Sequence, residues 1–411
     1  MKLYLFNPDA DMALADFSEN YMPPALIRQM AVDLALLPLW WAEQGAGVVA
    51  ASAYNQSYLQ RWSQQFPLPA QLLTPPELSA VAQPDVLPWG WSPAVRKWLL
   101  KQGITASALP SLSVLAKHRQ QAGKQTALAI LDSFRGIDGC CGQGSLLHSL
   151  VACEDYWRSR QGRCLFKAPW SGSGKGLLWC YSDFSASVSG WCRRVLSEQQ
   201  VLIGMPIYNK VYDFAMEFWM DGSGNASFIG YSLFHTTAKG AYQGNVLMSD
   251  AAIEQLLSAA VPSASLPQIR RQLQVQLQMH YPEYRGYLGV DMMVCRMADG
   301  HSTVFPCVEV NLRMNMGIVA HQLAHRFLLP GSKGRFSVEV SPSPHALQAS
   351  VSALQAAFPP QIVQGKLLSG YLPLVPVSPQ SRYMAYIHVE PLKNVAADED
   401  DSIIFSNFGF Y

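Results

Sequence analysis

Apolar positions along the chain form short runs that alternate with longer stretches of helical spacing. Lys2–Phe6 and Val48–Ala51 are short apolar runs, as expected of buried strands. Ala25–Trp41, Ser111–Leu131 and Ile253–Gln278 carry apolar residues at the spacing of a helix that faces a core. This alternation of strand and helix patterns predicts an α/β fold.

The pattern changes to paired strands after residue 164. Leu165–Phe166 and Leu177–Tyr181 flank a glycine-rich loop, which predicts a hairpin. Further apolar or alternating runs predict strands at Val201–Ile207, Asp213–Met220, Ala226–Phe234, Gly286–Cys295 and Val304–Gly317, and two more within Leu367–Glu390.

Composition narrows the class of protein. A chain of 411 residues with 49% apolar and 14% charged residues can bury a large core, and its length predicts about two or three domains. A formal net charge of +1 without a Lys/Arg run gives no indication of nucleic acid as a partner. The eight cysteines form no CxxC arrangement, and the N-terminus lacks the pattern of a signal peptide. We therefore expect a cytoplasmic protein without a membrane segment.

Polar side chains interrupt the apolar run Val304–Gly317. Glu309 and Asn311 are two positions apart, so a strand would place both on one face, and Arg313 continues that face if the strand persists. Carboxylate and amide oxygens beside a guanidinium suit a magnesium-bound phosphate. The alternative is an edge strand with a solvated polar face.

The neighbouring predicted strand, Gly286–Cys295, carries a single acid, Asp291. A lone carboxylate among apolar residues is costly unless it is paired or bound to a metal. A short turn joins this strand to the one that carries Glu309, so the two carboxylates are expected on adjacent strands of one hairpin. The sequence therefore predicts a metal site formed by Asp291, Glu309 and Asn311.

The glycine-rich loop is a second candidate for binding phosphate. Glycines let backbone N–H groups approach phosphate oxygens, and Lys167 and Lys175 would add positive charge. The loop matches neither a Walker motif nor GxGxxG, and a plain Gly/Ser turn is the alternative. Its residues are Ser171, Gly172, Ser173, Gly174, Lys175 and Gly176.

Three further sets of polar residues have structural alternatives. Asp9 and Asp11 follow the first strand, where they are either ligands or helix caps. His321 and His325 have zinc-protease spacing but lack the glutamate that should follow the first histidine, which favours a core or capping role. The stretch His235–Asn245 is predicted to be a polar loop that is either exposed or contacts substrate, through His235, Lys239, Tyr242 and Asn245.

In the order of these motifs the chain resembles the ATP-grasp superfamily, especially its carboxylate–amine ligases. Leu165–Leu178 looks like the family's lysine strand and lid loop, and Glu309–Gly317 (EVNLRMNMG) is similar to its E-x-N-x-R signature. The resemblance covers residues 110–330 and implies an ATP-grasp core of two subdomains behind a small α/β domain. The implied divisions are an N-terminal domain (1–110), a subdomain with the lid loop (111–200), a subdomain with the metal strands (201–340) and a C-terminal segment (341–411).

The resemblance also implies roles for single residues. Asp291, Glu309 and Asn311 would hold Mg²⁺, Lys167 would bind ATP phosphates, and Arg313 would face the γ-phosphate or an acyl phosphate. A second lysine is expected before the lid, and Lys117, Arg119 and Lys124 all remain candidates. Backbone groups of Val201, Ile203 and Gly204 would contact adenine.

The chain departs from the family in the segment between the two subdomains, the hinge. Many members have a glutamate there that binds ribose or adenine, and Leu202–Pro206 contains none. Asp213 and Glu217 are the acids that follow it.

The activity implied by the resemblance is ATP-dependent ligation of a small-molecule carboxylate to an amine, or to a thiol, through an acyl phosphate. Asn315 is a further candidate for contacting substrate. Small ligases of this kind often form homodimers. The alternatives are a phosphotransferase on the same scaffold and a nucleotide-binding module without catalysis.

Overall fold

Three β-sheets organise the part of the chain that the structure, a computed structural model, describes: residues 1–50, 53–171, 176–237 and 240–391. The first sheet is parallel, with strand order β3-β2-β1-β4. Its strands are β1 (Lys2–Leu5), β2 (Gly47–Val49), β3 (Gln71–Leu73) and β4 (Asp85–Pro88). Its helices are α1 (Ala10–Asp16), α2 (Ala25–Asp33), α3 (Ala53–Ser63) and α4 (Pro93–Lys101). We call this part the N-terminal unit.

The second sheet is small and antiparallel, with order β5-β8-β6-β7. Strands β6 and β7 form the predicted hairpin. The strands are β5 (Ser145–Leu147), β6 (Cys164–Lys167), β7 (Leu177–Cys180) and β8 (Leu202–Pro206). The helices before and around the sheet are α5 (Leu112–Gln121), α6 (Lys124–Asp132), α7 (Leu150–Ser159) and α8 (Ala186–Gln199).

The third sheet has nine strands in the order β13-β12-β9-β10-β11-β14-β17-β16-β15, with antiparallel pairs throughout. The strands are β9 (Asn209–Asp221), β10 (Ala226–Thr236), β11 (Tyr242–Leu247), β12 (Arg285–Arg296), β13 (Ser302–Asn311), β14 (Gly334–Val340), β15 (Gln361–Val363), β16 (Lys366–Pro373) and β17 (Tyr383–Val389). The helices are α9 (Asp250–Ala260), α10 (Ser265–His280), α11 (Met316–Phe327) and α12 (Pro344–Ala357).

Several elements differ from the sequence prediction. The helix predicted over Ser111–Leu131 is two helices, because Gly123 takes an extended conformation (ψ 140°) and starts α6 anew. The predicted strand Val304–Gly317 ends at Asn311, and a helix starts at Met316. The predicted loop His235–Asn245 is largely strand, since β10 extends to Thr236 and β11 begins at Tyr242. Cross-strand pairing overrides local polarity there.

Helices cover both faces of the large sheet, which explains its apolar strands. Helices α6, α9 and α10 share one core with β9, β10, β12 and β13. On the other face α11 packs together with the N-terminal unit and with β14, β16 and β17. The N-terminal unit is thereby held against the end of β13, where the predicted metal ligands lie.

Candidate active site

Strands β12 and β13 bring the two predicted carboxylates together. Their antiparallel register pairs Asp291 directly with Glu309, and it pairs Asn311 with Gly289. A register shift follows Asp291, between Asp291 and Met293. Directly paired residues of an antiparallel ladder have neighbouring side chains. Two carboxylates and an amide therefore lie side by side at the end of the hairpin.

The electrostatics of this group indicate a shortage of positive charge. Burial raises the pKa of Asp291 well above its usual range, and the negative charges of Glu309 and Glu217 raise it further. A hydrogen bond with Asn311 offsets part of that rise. A cation placed between the carboxylates would remove the repulsion. Oxygen donors of this kind are the ligands of Mg²⁺, so the residues present fit that ion.

Lys124 is the candidate among the three cations that reaches this group. It is buried at the start of α6, and its Nζ donates to Glu309 Oε1 at 2.8 Å and to the Ser171 carbonyl oxygen at 2.7 Å. Lys117 instead pairs with Glu283 at the surface, and Arg119 donates to the Ala15 carbonyl oxygen. The break at Gly123 is what points Lys124 into the cleft, and no local sequence pattern indicated that break.

Lys167 stands at the end of β6, near Glu309. It is 5% exposed, and its Nζ donates to the Val308 carbonyl oxygen at 3.2 Å. Burial lowers the pKa of Lys167 to about 8, although the nearby charge of Glu309 acts in the other direction. A cation held with few hydrogen bonds in a cleft has donors left for an anionic ligand.

Arg313 forms an ion pair that the sequence did not predict. Its Nε and Nη2 donate to the two carboxylate oxygens of Asp11, both at 2.6 Å, and Nη2 also donates to Asn311 Oδ1 at 3.1 Å. Burial alone would raise the pKa of Asp11, but the Arg313 guanidinium holds it below its usual range. Asp9 precedes α1 without a capping hydrogen bond, and Asp11, in the first turn of α1, pairs with Arg313 instead of capping the helix.

Glu217 and Asn315 are buried next to Gly289 of strand β12. Asn315 caps α11 by accepting a hydrogen bond from the Ile318 N–H at 2.9 Å, and its Nδ2 donates to Glu217 Oε2 at 2.9 Å. Ser232 donates to the other Glu217 oxygen at 2.8 Å. Burial raises the pKa of Glu217 to about 7. Both ends of the Asn315 amide are thus engaged within the protein, and Glu217 lies in the core.

Strand β8, which contains no glutamate, has no space for a side chain at Gly204. A Cβ placed there would lie 2.8 Å from the Tyr156 ring and 2.9 Å from Leu147. Ile203 is buried, and Val201 lies just before the strand. Asp213, at the start of β9, accepts hydrogen bonds from Lys210 and from Thr236. The glycine is therefore required by the packing of α7 on the sheet.

The remaining predicted substrate residues lie on strands β10 and β11. Asn245 is fully buried, and its Nδ2 donates to the Leu233 carbonyl oxygen at 3.3 Å. The Tyr242 hydroxyl donates to Asn245 Oδ1. Burial lowers the pKa of His235, which is paired with Gly244 across the strands. Lys239 and the lid residues Gly172, Ser173, Gly174 and Lys175 lie outside the described residues.

The flanks of the lid loop border a cleft. Its empty volume is about 470 Å³, and it lies between the N-terminal unit, the start of α6 and the end of β13. Ser171 lines it, whereas the Gly176 carbonyl oxygen accepts a hydrogen bond from the Ala168 N–H at 2.9 Å. The polar residues that line this cleft are Asp11, Lys124, Ser171, Glu309, Asn311 and Arg313.

The described ranges show no second metal centre and no membrane-spanning helix. They contain no group of three or more His, Cys, Asp or Glu side chains placed to hold a metal ion, so the candidate set is the carboxylate pair with Asn311. The His321 Nε2–H donates to an Asp250 carboxylate oxygen at 3.0 Å, and the His321 ring stacks on His325, which matches the predicted structural role. Within the same ranges, every helix is too short or too polar to span a bilayer.

Comparison with known proteins identifies the fold. No protein-family model and no curated protein matches the chain. N5-carboxyaminoimidazole synthetase from Staphylococcus aureus matches over 99% of this chain and 96% of its own, with a TM-score of 0.50 and 8% identity. Biotin carboxylase from Campylobacter jejuni, solved as a beta-gamma-ATP complex, matches over 94% of this chain and 87% of its own, with a TM-score of 0.51 and 12% identity.

Both of these structures have the ATP-grasp fold, and the chain therefore has it too. This confirms the fold class predicted from the sequence. The predicted domain limits and the roles of individual residues remain predictions, which the geometry of the cleft has to support.

Proposed function

We propose that the protein is an ATP-dependent, ADP-forming ligase that joins a small-molecule carboxylate to an amine or a thiol through an acyl phosphate. The observation that carries this proposal is the convergence of Lys124, Lys167, Asp291 and Glu309 on an ATP-grasp fold. Two buried lysines beside two carboxylates suit a phosphorylated ligand together with its metal. The nucleotide in the biotin carboxylase structure supports the same interpretation.

The residues of the cleft would bind and orient the reactants. Lys124 and Lys167 would hold the ATP phosphates in a partly desolvated setting, where electrostatic stabilisation is strong. Asp291, Glu309 and Asn311 would hold Mg²⁺, which when bound neutralises phosphate charge. Arg313, held in place by Asp11, would face the γ-phosphate or the acyl phosphate.

The chemistry requires no side-chain nucleophile. A carboxylate oxygen attacks the γ-phosphorus, and the bond from that phosphorus to ADP breaks. The amine nitrogen or thiolate then attacks the acyl carbon, phosphate leaves, and an amine nucleophile loses its proton to solvent. The protein has to position the partners and exclude water, and a cleft between the N-terminal unit, the start of α6 and the end of β13 suits that task.

Thermal unfolding with and without MgATP tests the nucleotide site. A ligand that binds only the folded protein stabilises it by about 2.7 kcal/mol at a concentration of 100 Kd. We expect this stabilisation in the wild type, a loss of it in Lys167→Met, and a strong reduction in Asp291→Asn and Glu309→Gln. Glu198→Gln, an exposed site on α8, is the matched control and should behave as wild type.

ADP release and product analysis test the reaction. With a panel of carboxylates and amines, a ligase releases ADP and phosphate only when both substrates are present, and the product contains an amide or thioester. A stable phosphorylated product would support the phosphotransferase instead. Binding of MgATP without ADP release over the whole panel would support the module without catalysis.

A further inference from the structure

A second cavity lies between the N-terminal unit and the large sheet. Its volume, counted together with the space open to solvent at its mouth, is about 690 Å³. It is lined by residues of strands β1, β9 and β12, of the segment that follows α2, and of the segment that follows β4. Aromatic side chains dominate its wall: Tyr4, Trp41, Trp89, Trp91, Trp219 and Tyr287. We call it the aromatic cavity.

The rings of the aromatic cavity are fixed by contacts with one another. Trp41 and Trp89 pack with centroids 6.3 Å apart, and Trp219 packs edge to face on Tyr287 at 4.8 Å. Such pairs restrain both rings of each contact. A preformed wall of flat apolar faces favours a ligand that is itself flat, because little conformational freedom is lost on binding.

The wall of the aromatic cavity offers no free charge among the described residues that line it. Arg285 is committed to Asp85 by two hydrogen bonds of 2.8 and 3.0 Å at an exposed edge. Burial lowers the pKa of His118 to about 4, so this side chain is neutral at pH 7. A carboxylate would therefore gain nothing inside the cavity and has to project out of it.

The aromatic cavity adjoins the cleft described above. Leu14, Gly90, Trp91 and Leu312 line both spaces. Leu312 stands in the chain between Asn311 and Arg313, two of the polar residues that line the cleft. A ligand whose body fills the aromatic cavity can therefore present a polar end to Arg313 and Lys124.

We propose that the aromatic cavity binds the body of the carboxylate substrate, and that this body is a flat, uncharged ring system, as in an arylacetic acid. The proposal rests on the function proposed above, since it assigns the carboxylate to the cleft. It makes the substrate an aromatic acid, rather than a short dicarboxylic acid or an amino acid with a charged side chain.

Calorimetric titration of the full-length protein tests the aromatic cavity directly. The probes are phenylacetate and indoleacetate, compared with hexanoate, which is apolar but flexible, and succinate, which is polar. Titrations are made without nucleotide and again with MgATP, so that acid binding is measured whether or not the ligase reaction occurs. We expect the two aryl acids to bind at least about tenfold more tightly than hexanoate, and succinate to show no binding, because a tenfold difference corresponds to about 1.4 kcal/mol of ring contact.

Two half-buried tryptophans allow a matched comparison. Trp219→Leu removes a wall of the aromatic cavity, whereas Trp157→Leu changes a tryptophan on α7, outside it. We expect Trp219→Leu to weaken binding of the aryl acids at least about tenfold while retaining the stabilisation by MgATP, and Trp157→Leu to change neither. Tyr287→Leu, at a half-buried residue that lines the aromatic cavity but not the cleft, serves as a second variant if Trp219→Leu fails to fold.

The outcomes separate this proposal from the ligase function. ADP release driven by succinate but not by the aryl acids would overturn the aromatic substrate and leave the ligase intact. Equal binding of hexanoate would overturn the preference for a flat ring. Loss of MgATP stabilisation in Trp219→Leu would show that adenine occupies the cavity, which also overturns the proposal. In a further outcome the wild type binds aryl acids, with weaker binding in Trp219→Leu, and yet shows no stabilisation by MgATP. That result would support the aromatic cavity as a binding site and contradict the ligase function.

Discussion

Glu217 shows how much the site depends on single buried side chains. It has no solvent exposure, and its two oxygens are engaged by Ser232 and Asn315. Its carboxyl group also contributes to raising the pKa of Asp291. A buried carboxyl group with partners is tolerated, but its ionised form is disfavoured by desolvation. The protonation of Glu217 is therefore coupled both to stability and to the charge of Asp291.

The pH dependence of stability tests this reading of Glu217. Burial raises its pKa from an ordinary 4.5 to about 7, so between these values the folded protein binds a proton that the unfolded chain releases. Stability should consequently fall as pH rises through this window, by up to about 3 kcal/mol from this group. We expect Glu217→Gln, which has no such proton, to reduce the difference in unfolding free energy between pH 5 and pH 8, measured by urea denaturation without Mg²⁺.

Glu198→Gln is the control for this experiment, since Glu198 is exposed on α8. Its pH dependence should equal that of the wild type. If Glu217→Gln also retained the wild-type dependence, Glu217 would have to be ionised across the whole range, and its assigned environment would be wrong.

The segment that joins β13 to α11 is the element on which the cleft depends. The strand ends at Asn311, the Arg313 N–H donates to the Asn311 carbonyl oxygen at 2.8 Å, and Asn315 caps the helix. This turn directs Arg313 toward α1 of the N-terminal unit, where Asp11 meets it. One short segment thereby connects strand β13, helix α11 and the N-terminal unit.

Breaking the Asp11–Arg313 pair should weaken this connection. In Asp11→Asn the guanidinium, 17% exposed, loses its anionic partner, and we expect a loss of about 1–2 kcal/mol in unfolding free energy. This is less than for a fully buried pair, because Asp11 is 35% exposed and solvent screens part of the interaction. Chemical denaturation measures the loss.

Asp85→Asn is the matched control for the pair. It removes a bidentate partner from Arg285, but both side chains are more exposed, at 36% and 48%, so a loss below about 1 kcal/mol is expected. Equal losses in the two variants would mean that the Asp11–Arg313 pair has no special role in joining the two parts.

Two glycines in helices should respond in opposite directions to alanine. A Cβ at Gly317, in the first turn of α11, would lie 2.1 Å from Glu217 Oε1 and 2.4 Å from Ser232 Oγ. A Cβ at Gly190, in the middle of α8, would meet no atom within 4 Å. We expect Gly317→Ala to destabilise by about 1–3 kcal/mol through overpacking, and Gly190→Ala to stabilise by about 0.5–1 kcal/mol. Thermal unfolding of both variants would reveal the contrast. A Gly317→Ala variant as stable as the wild type would contradict the close packing of α11 against Glu217 and Ser232.

At the scale of the whole molecule, one core joins parts of the chain that are far apart in sequence. Trp40 packs on Phe327 with ring centroids 5.1 Å apart, and its Nε1 donates to the Leu374 carbonyl oxygen at 2.7 Å. Phe66 contacts the same Phe327 ring at 5.8 Å. The N-terminal unit, α11 and the C-terminal strands thus share a continuous interior, and both the cleft and the aromatic cavity lie along its border.

Phe327→Ala tests whether that core couples the parts. Phe327 is fully buried, and truncating such a ring costs about 3–5 kcal/mol. We expect lower stability together with weaker binding of MgATP and of the substrate, since both spaces use residues of the N-terminal unit and of β13. Phe358→Ala, at a site 43% exposed, should change stability by well under half as much. Urea denaturation followed by tryptophan fluorescence measures both, and similar losses would show that Phe327 does not join the parts.

Local patterns in the sequence determined much of this protein. Apolar periodicity predicted most strands and helices, and the two-residue spacing of Glu309 and Asn311 predicted that they share a strand. The lone acid Asp291 pointed to a partner on the next strand, and the register pairs it with Glu309. These predictions succeeded because a strand of period two and a hairpin are local, so the chain near a residue suffices to place it.

Only the tertiary structure decided the rest. It selected Lys124 over Lys117 and Arg119, assigned Asp11 to Arg313, buried Asn315 and Asn245, and left no room for a glutamate at Gly204. It also placed tryptophans from distant segments around one cavity. Each of these outcomes depends on contacts between residues as far apart as positions 11 and 313, and neither periodicity nor residue spacing along the chain encodes such distances.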